Sequence, residues 1–413
     1  MSQEEKERAP GVIWQYGPAS GYEAPQPAST EKVGSGLRAA MRRLWGTGRT
    51  ADAEERAEFT SLSDAVLAEV MPDSSWSAGT AALATTLDSW LHDPRPQQLC
   101  TAVIGPPGSG VSEVVTRWGV QHSARFVAPP SLDEVLGPSP DWWQGVDPDA
   151  AGVLVIPELE RFYLRHHDGL DLVRRLIERL WVSPRRLVVG CDSWAWAYLC
   201  KTVQLDAVFG PPTALMPLDA DALRAWFRPR PRGRYVVETV RGDHVLYPCE
   251  SGETAVAKPE GDGAGDEKPL AAGAEVFQRL AATARGIPAV ALALWRKILC
   301  EAEAKAKADQ TRPPPPIPIR VRPLRDITLP SLPTDASTRE AIILHTLLLH
   351  SGLPAEVLLR LVPFAAPVVF RTLRALEAAG LVRAEAGVWR TTLLGYPAVR
   401  AYLKAEGLLV DQF

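Results

Sequence analysis

The run Thr101-Ala-Val-Ile-Gly-Pro-Pro-Gly-Ser-Gly-Val-Ser112 carries the residue types that a polyphosphate cradle needs. Gly105, Gly108 and Gly110 free the backbone to turn several N–H groups toward one point. The helical pattern that begins at Val111 adds the positive end of a helix dipole behind them. Ser112 stands where a hydroxyl would ligate the Mg²⁺ of a bound nucleotide. One group is missing, because the position that would aim an ammonium at the β- and γ-phosphates holds Val111. Contact with ATP or ADP is therefore expected over Gly105, Pro106, Pro107, Gly108, Ser109, Gly110, Val111 and Ser112, through backbone donors instead of a cation.

Such a loop works only between a strand and a helix. Strand-like runs fall at Leu99–Ile104, Arg125–Ala128, Val153–Ile156, Leu187–Val189 and Thr213–Met216, each followed by a helical or loop segment. Helical periodicity is clearest at Leu170, Val173, Leu176, Ile177 and Leu180. Five strands joined by crossovers predict a parallel sheet covered on both faces, over residues 60–228. Residues 229–270 read as a hairpin, Gly233 to Tyr247, and a polar insertion. Residues 271–310 read as a helical lid in which the charged run 301–309 extends the last helix. Residues 311–334 read as a proline-rich linker, stiffened by Pro313 to Pro316.

The last segment, 335–413, shows helical faces at Ile343, Leu344, Leu347 and Leu348, at Val357, Leu358 and Leu361, and at Val369, Leu373 and Leu376. Gly380 to Thr391 then reads strand, tight turn, strand. That pattern predicts a winged helix-turn-helix. The ending Gly407-Leu-Leu-Val-Asp-Gln-Phe413 is apolar enough to pack back on the domain. Residues 1–59 read as disordered apart from a short basic amphipathic helix at 37–45, where Leu37, Met41, Leu44 and Trp45 lie beside Arg38, Arg42 and Arg43. That helix either packs on its own domain or lies on an anionic membrane surface or a partner.

Composition bounds the function. A chain of 413 residues with 46% hydrophobic content holds two or three domains, and a net charge of −4 argues against a generic nucleic-acid binder. No apolar run approaches the roughly 20 residues of a membrane span, and Met1-Ser-Gln-Glu-Glu-Lys lacks a signal-peptide core, so a cytosolic location is expected. The five cysteines form no C-x-x-C pair and read as reduced thiols. His166 and His167, on a polar turn, are either a solvated loop or an approach to a phosphate or metal.

In the order of these motifs, residues 75–300 resemble a divergent P-loop ATPase of the AAA+ or STAND type, with a lid and a winged helix as in origin-recognition and transposition-associated ATPases. The fold class implied is α/β, a P-loop five-stranded parallel sheet with helical lid plus a C-terminal winged helix-turn-helix. In that family the third strand ends in Asp-Glu; here Val153-Leu-Val-Ile-Pro-Glu158 has Pro157 at the Asp place and keeps Glu158. The resemblance gives Glu158 the catalytic and metal role, as orienter of water or holder of Mg²⁺ with Ser112. The residue reading leaves open that Glu158 simply pairs with Arg161 or Arg165. The γ-phosphate sensor falls on Asp192 or Ser193, and Arg285 in Leu280 to Trp295 matches the lid's sensor arginine. No arginine lies in Lys201–Pro212, where an arginine finger would be. Without lysine, Asp and finger, turnover is expected to be very low.

Partners follow from the last domain. It carries eight Lys/Arg against seven Asp/Glu. Arg371, Arg374, Arg383 and Arg390 are placed to meet DNA, but so weak a positive charge neutralises few phosphates, and a protein partner is at least as well matched. The reading that emerges is a nucleotide-responsive regulator; the alternatives are a nucleotide-independent adaptor and a DNA-binding regulator.

Overall fold

The computed structural model describes residues 13–26, 60–93, 96, 98–137, 152–182, 185–229, 234–240, 245–247, 270–301, 316–334 and 336–413. Its largest sheet has six strands: β1 (Tyr16–Pro18), β2 (Cys100–Gly105), β3 (Arg125–Phe126), β4 (Leu154–Ile156), β5 (Leu187–Asp192) and β6 (Thr213–Leu215), in the order β1-β6-β2-β5-β4-β3. The five strands expected from sequence are there and parallel. The sixth, β1, runs antiparallel to β6. Residues 13–26 thus correct the expectation of disorder throughout 1–59: Tyr16 is buried and the sheet edge holds it. The amphipathic helix at 37–45 lies outside the described residues.

Side chains alternate along the central strands by the pleat of the backbone, and both sets are buried because both faces are covered. The helices of this layer are α1 (Asp64–Val70), α2 (Ser77–His92), α3 (Val111–Gln121), α4 (Leu132–Leu136), α5 (Asp171–Val182), α6 (Ser193–Val203), α7 (Asp206–Phe209) and α8 (Ala220–Trp226). Val103, Val155 and Val188 face one core with Leu83 and Leu87 of α2 and Val114, Val115 and Trp118 of α3. Ala102, Ile104, Ile156 and Val189 face the other with Leu172, Val173 and Leu176 of α5 and Trp194, Trp196 and Leu199 of α6. The connection leaving β2 therefore starts over one face toward β3 at the far edge. The connection leaving β5 crosses the other face, past β2, to β6. Neighbouring strands whose connections diverge open a crevice at their carboxyl ends. Gly105 and Asp192, paired in register, sit at its floor.

Beyond this layer the chain forms a second sheet from β7 (Tyr235–Thr239), β8 (Val245–Tyr247), β9 (Leu299–Glu301) and β10 (Ile317–Val321), in the order β8-β7-β10-β9. The expected hairpin is β7 with β8. Two expectations are corrected. After α9 (Leu270–Ala284) and α10 (Pro288–Ile298), the chain leaves the helix at Ile298 and becomes β9, so residue 301 does not extend it. Part of the expected linker is β10, whose Ile319 and Val321 are buried at a spacing of two. Among the described residues β9 pairs with Val321, Arg320 and Ile319, and Pro318 pairs with Val236 of β7.

The C-terminal unit contains α11 (Thr338–Leu349), β11 (Leu353–Pro354), α12 (Ala355–Leu361), α13 (Ala366–Ala378), β12 (Val382–Glu385), β13 (Val388–Thr391) and α14 (Tyr396–Ala405), with the antiparallel order β11-β13-β12. The turn between β12 and β13 has positive φ at both Ala386 and Gly387, the backbone twist that a two-residue hairpin prefers. No described helix is long and apolar enough to cross a membrane.

Candidate functional site

At the end of β2 the chain turns sharply. Ser109 N–H donates to the Pro106 carbonyl at 3.0 Å, and Gly108 and Gly110 take φ of +89° and +74° before α3 begins at Val111. The amides of Gly108, Gly110, Val111 and Ser112 have no acceptor among the described residues. The helix's first capping bond is Val114 N–H to the Gly110 carbonyl. The glycine loop therefore keeps unpaired donors at the mouth of the crevice, as an anion cradle requires.

Val111 occupies the space between strands. Its Cγ2 lies 3.0 Å from where a Cβ on Gly105 would stand and its Cγ1 3.2 Å from the equivalent point on Gly190. Methyl groups thus cover the β2–β5 junction where a lysine stem would run. The loop is also gripped from outside. Ala289 N–H, at the start of α10, donates to the Gly108 carbonyl at 3.1 Å, and Leu393 of the C-terminal unit lies 2.9 Å from the Cβ position of Gly108.

Trp76 lies across the back of the loop, 2.5 Å from the Cβ position of Gly110, with its own backbone held at φ +60°. It meets Trp14 edge-on (5.6 Å), Trp14 meets Trp226 (5.2 Å), Trp226 stacks on Phe227 (5.0 Å), and Phe227 stacks on Trp295 of α10 (5.0 Å). A row of rings joins the loop to α10. Sequence reasoning missed it, because its members come from four distant segments and follow no local period.

The carboxylates divide by burial. Glu158 is in an exposed ion pair with Arg161 at 3.1 Å, the plain pairing that the residue reading left open. Glu160 turns inward from the short helical turn Leu159–Arg161 and accepts the Asp192 N–H at 3.1 Å. Burial pushes its carboxyl up to about 7. Asp192 caps α6 by accepting from Trp194 N–H at 2.9 Å. Burial first, then the charge of Glu160, hold it well above the usual carboxylate range. Of the residues that sequence placed around a nucleotide, Glu158 keeps a solvent-facing carboxylate and Asp192 does not.

Arg285 sits at the end of α9 with φ +56°, its carbonyl accepting from Tyr22 OH at 2.7 Å. Its Nε is buried without an acceptor, and burial, then the charge of Arg400, lower its pKa. His166, His167 and Asp168 come together on an exposed turn, with His167 Nε2 at 2.7 Å from Asp168 Oδ2.

The C-terminal unit docks on this same end of the sheet. Tyr163 OH donates to the Leu349 carbonyl at 2.5 Å, Arg165 N–H to His350 Nε2 at 3.3 Å, and Trp194 Nε1 to Tyr396 OH at 3.1 Å. Burial pulls His345 down to about 4 and His350 to about 3, so both are neutral in the contact. Arg371, Arg374, Arg383 and Arg390 stay exposed.

No protein-family profile and no curated protein matches the chain. Among solved structures it is similar to Cdc6p from Pyrobaculum aerophilum (14% identity, covering 85% of this chain and 100% of that one, TM-score 0.33). It is likewise similar to the Orc1 protein of Aeropyrum pernix in complex with DNA (15%, 82% and 94%, TM-score 0.34). A third likeness is to the Walker-type ATPase paby2304 of Pyrococcus abyssi (10%, 80% and 95%, TM-score 0.24). Likenesses at these scores decide nothing about function; the strand order and the open loop amides stand on their own.

Proposed function

We propose that this chain is a P-loop protein of the AAA+ type that binds ATP or ADP with Mg²⁺ weakly, turns it over very slowly, and uses nucleotide state to set the position of a C-terminal winged helix that engages a partner. The observation that carries this reading is the set of open amides at Gly108, Gly110, Val111 and Ser112, at the switch point of the sheet and in contact with the lid at Ala289. In this reading Ser112 and Glu158 hold Mg²⁺ and Arg285 reports nucleotide state. Glu158 would leave its surface pair with Arg161 to do so, at small cost, since exposed ion pairs contribute about 0–1 kcal/mol. The domain limits are those read from sequence, with 13–26 and 317–321 now joined to the sheets they pair with.

Calorimetric titration of Mg–ATP tests the site. Ser112→Ala is expected to weaken binding. Val111→Lys is expected to strengthen it roughly 10- to 100-fold, from the 1.5–3 kcal/mol of a charge-assisted hydrogen bond. Gly110→Ala is a poor probe, because a Cβ there meets Trp76 and φ is +74°. Absent heats in both wild type and Val111→Lys would leave a scaffold.

A second reading, DNA binding, is favoured by one observation: the four arginines of α13 and the wing are exposed. Arg374 is partly neutralised by Glu377 at 2.7 Å and Arg383 by Glu385 at 3.1 Å. Gel shifts are accordingly expected only at low salt, lost in the double variant Arg371→Ala/Arg374→Ala, with a log–log salt slope of about −2 to −4 at 0.9 per phosphate.

A further inference from the structure

Between β4 and α5 the chain carries His166, His167 and Asp168 side by side, three donors that the nucleotide reading leaves unused. The turn that holds them closes on itself. Leu164 N–H donates to the Gly169 carbonyl at 2.9 Å, Gly169 N–H to the His166 carbonyl at 3.1 Å, and His166 N–H to the Leu164 carbonyl at 2.7 Å. A Cβ on Gly169 would collide with the Leu164 carbonyl, so glycine alone lets the turn close this tightly. Buried Leu164 and Leu170 pin its two ends in the core. Just before it, Tyr163 and Arg165 bond Leu349 and His350, so the C-terminal unit braces the turn as well.

On that base the side chains converge. His167 Nε2 lies 2.7 Å and His166 Nδ1 3.9 Å from the same oxygen, Asp168 Oδ2, and the donor atoms of all three residues lie within 4.8 Å of one another. Among the described residues no other three such donors come together. Zinc-class ions hold imidazole nitrogen and carboxylate oxygen at about 2.0–2.2 Å, which sets donors on one ion about 2.9–3.4 Å apart. The two separations to Asp168 bracket that spacing. Side-chain rotation is enough to close it, because His167 and Asp168 are 77% and 52% exposed. The Asp168 N–H donates to His166 Nδ1 at a long 3.4 Å, so this nitrogen carries a lone pair and the ring's proton sits on Nε2. A plain ion pair does not account for the group. It needs one imidazolium, and a second ring 4.0 Å from the first opposes it when protonated. A dication satisfies all three donors at once.

We propose that His166, His167 and Asp168 form a binding site for a divalent ion of the zinc, nickel or copper class, with His166 Nδ1, His167 Nε2 and Asp168 Oδ2 as ligands and water at the remaining positions. Two imidazoles and one carboxylate select this class over Mg²⁺, which takes oxygen donors. On binding, His167 exchanges protons with solvent so that Nδ1 carries the hydrogen and Nε2 gives its lone pair to the ion. The site shares no residue with Ser112 or Glu158 and holds whether or not a nucleotide binds. An ion held only by the closed turn stabilises it, and with it the seat of Leu349 and His350.

Calorimetric titration of the full chain, free of any histidine tag, with Zn²⁺ tests the site, and the visible absorption of added Co²⁺ gives a second readout. A single ion is expected to bind and to resist excess Mg²⁺. His167→Ala and Asp168→Asn are each expected to weaken binding by at least the roughly 10- to 100-fold that even outer partners of a metal site contribute. Both side chains are exposed, so the variants are expected to keep the circular dichroism of the full chain. Asp168→Asn is also expected to bind Mg–ATP as the full chain does, which separates this site from the nucleotide reading. Unchanged Zn²⁺ affinity in both variants would mean an adventitious ion only, held elsewhere, and overturns the site. A loss in His167→Ala alone reduces it to a single surface histidine and overturns it too, as does a full chain that binds neither Zn²⁺ nor Co²⁺.

Discussion

Arg400→Leu is expected to destabilise the docked C-terminal unit by about 3–5 kcal/mol, the typical cost of removing one partner from a buried ion pair. The side chains of Arg400 and Asp411 are 10% and 0% exposed, so solvent cannot take over when the guanidinium goes. Ser193 and Tyr396 would still donate to Asp411, but two neutral hydroxyls do not offset a buried charge that has lost its counterion. The double variant Arg400→Leu/Asp411→Leu is expected to regain most of the loss, because an apolar pair of similar volume carries no desolvation penalty. Thermal melts check this: the single variant should fall by roughly 12–40 °C, at about 4–8 °C per kcal/mol for a unit of this size. The cycle of single and double variants should give a coupling energy within about 0.5–3 kcal/mol or above it. A single variant within about 1 kcal/mol of wild type would mean that the tail spends its time undocked in solution.

This contact marks where sequence reading ran out. The apolar ending 407–413 announced that the tail packs, because Leu408, Leu409, Val410 and Phe413 are costly to leave in water. Nothing local announced its target, since Ser193 lies 218 residues away. The glycine loop was legible for the opposite reason: an apolar strand, glycines at positive φ and a helix start are all written within fifteen residues. The parallel strands were legible too, as short apolar runs buried on both faces. Strand β1 was hidden because three residues, Tyr16 to Pro18, in a proline-rich segment show no periodicity and are fixed only by pairing with β6. Strand β10 was hidden by Pro318 and the four prolines before it, a run that reads as a linker until β7 gives the strand a partner.

The carboxylates show the same division at finer scale. Glu158 and Glu160 stand two residues apart, and the resemblance favoured the first because it falls at the Glu of the Asp-Glu pair that ends the third strand. The turn Leu159–Arg161 reverses the outcome by swinging Glu158 to solvent and burying Glu160 against the Asp192 amide. Spacing of two places residues on one face only while the chain stays extended. The strand ends at Ile156. Asp192, given a sensing role by the resemblance, also caps the first turn of α6.

Glu160→Gln is the variant in which this inward carboxyl shows itself, and its effect is expected to depend on pH. Burial raises the folded-state pKa of Glu160 from 4.5 to about 7. A raised carboxyl binds its proton more tightly folded than unfolded, so its contribution is fully present below about 4.5 and is lost as pH rises through about 7. At pH 8 the folded protein holds a buried carboxylate beside Asp192, at a cost of about 3 kcal/mol from the size of the shift at 1.36 kcal/mol per unit. Glutamine keeps the carbonyl that accepts the Asp192 N–H and never ionises, so it escapes that cost. Melts at pH 8 should therefore place Glu160→Gln above wild type by several degrees, and melts at pH 5 should bring the two together. A variant that is less stable than wild type at pH 8 would show that Glu160 is charged and paired, and that an ion absent from this arrangement holds it. In that event Glu160, and not Glu158, becomes the carboxylate to test for Mg²⁺.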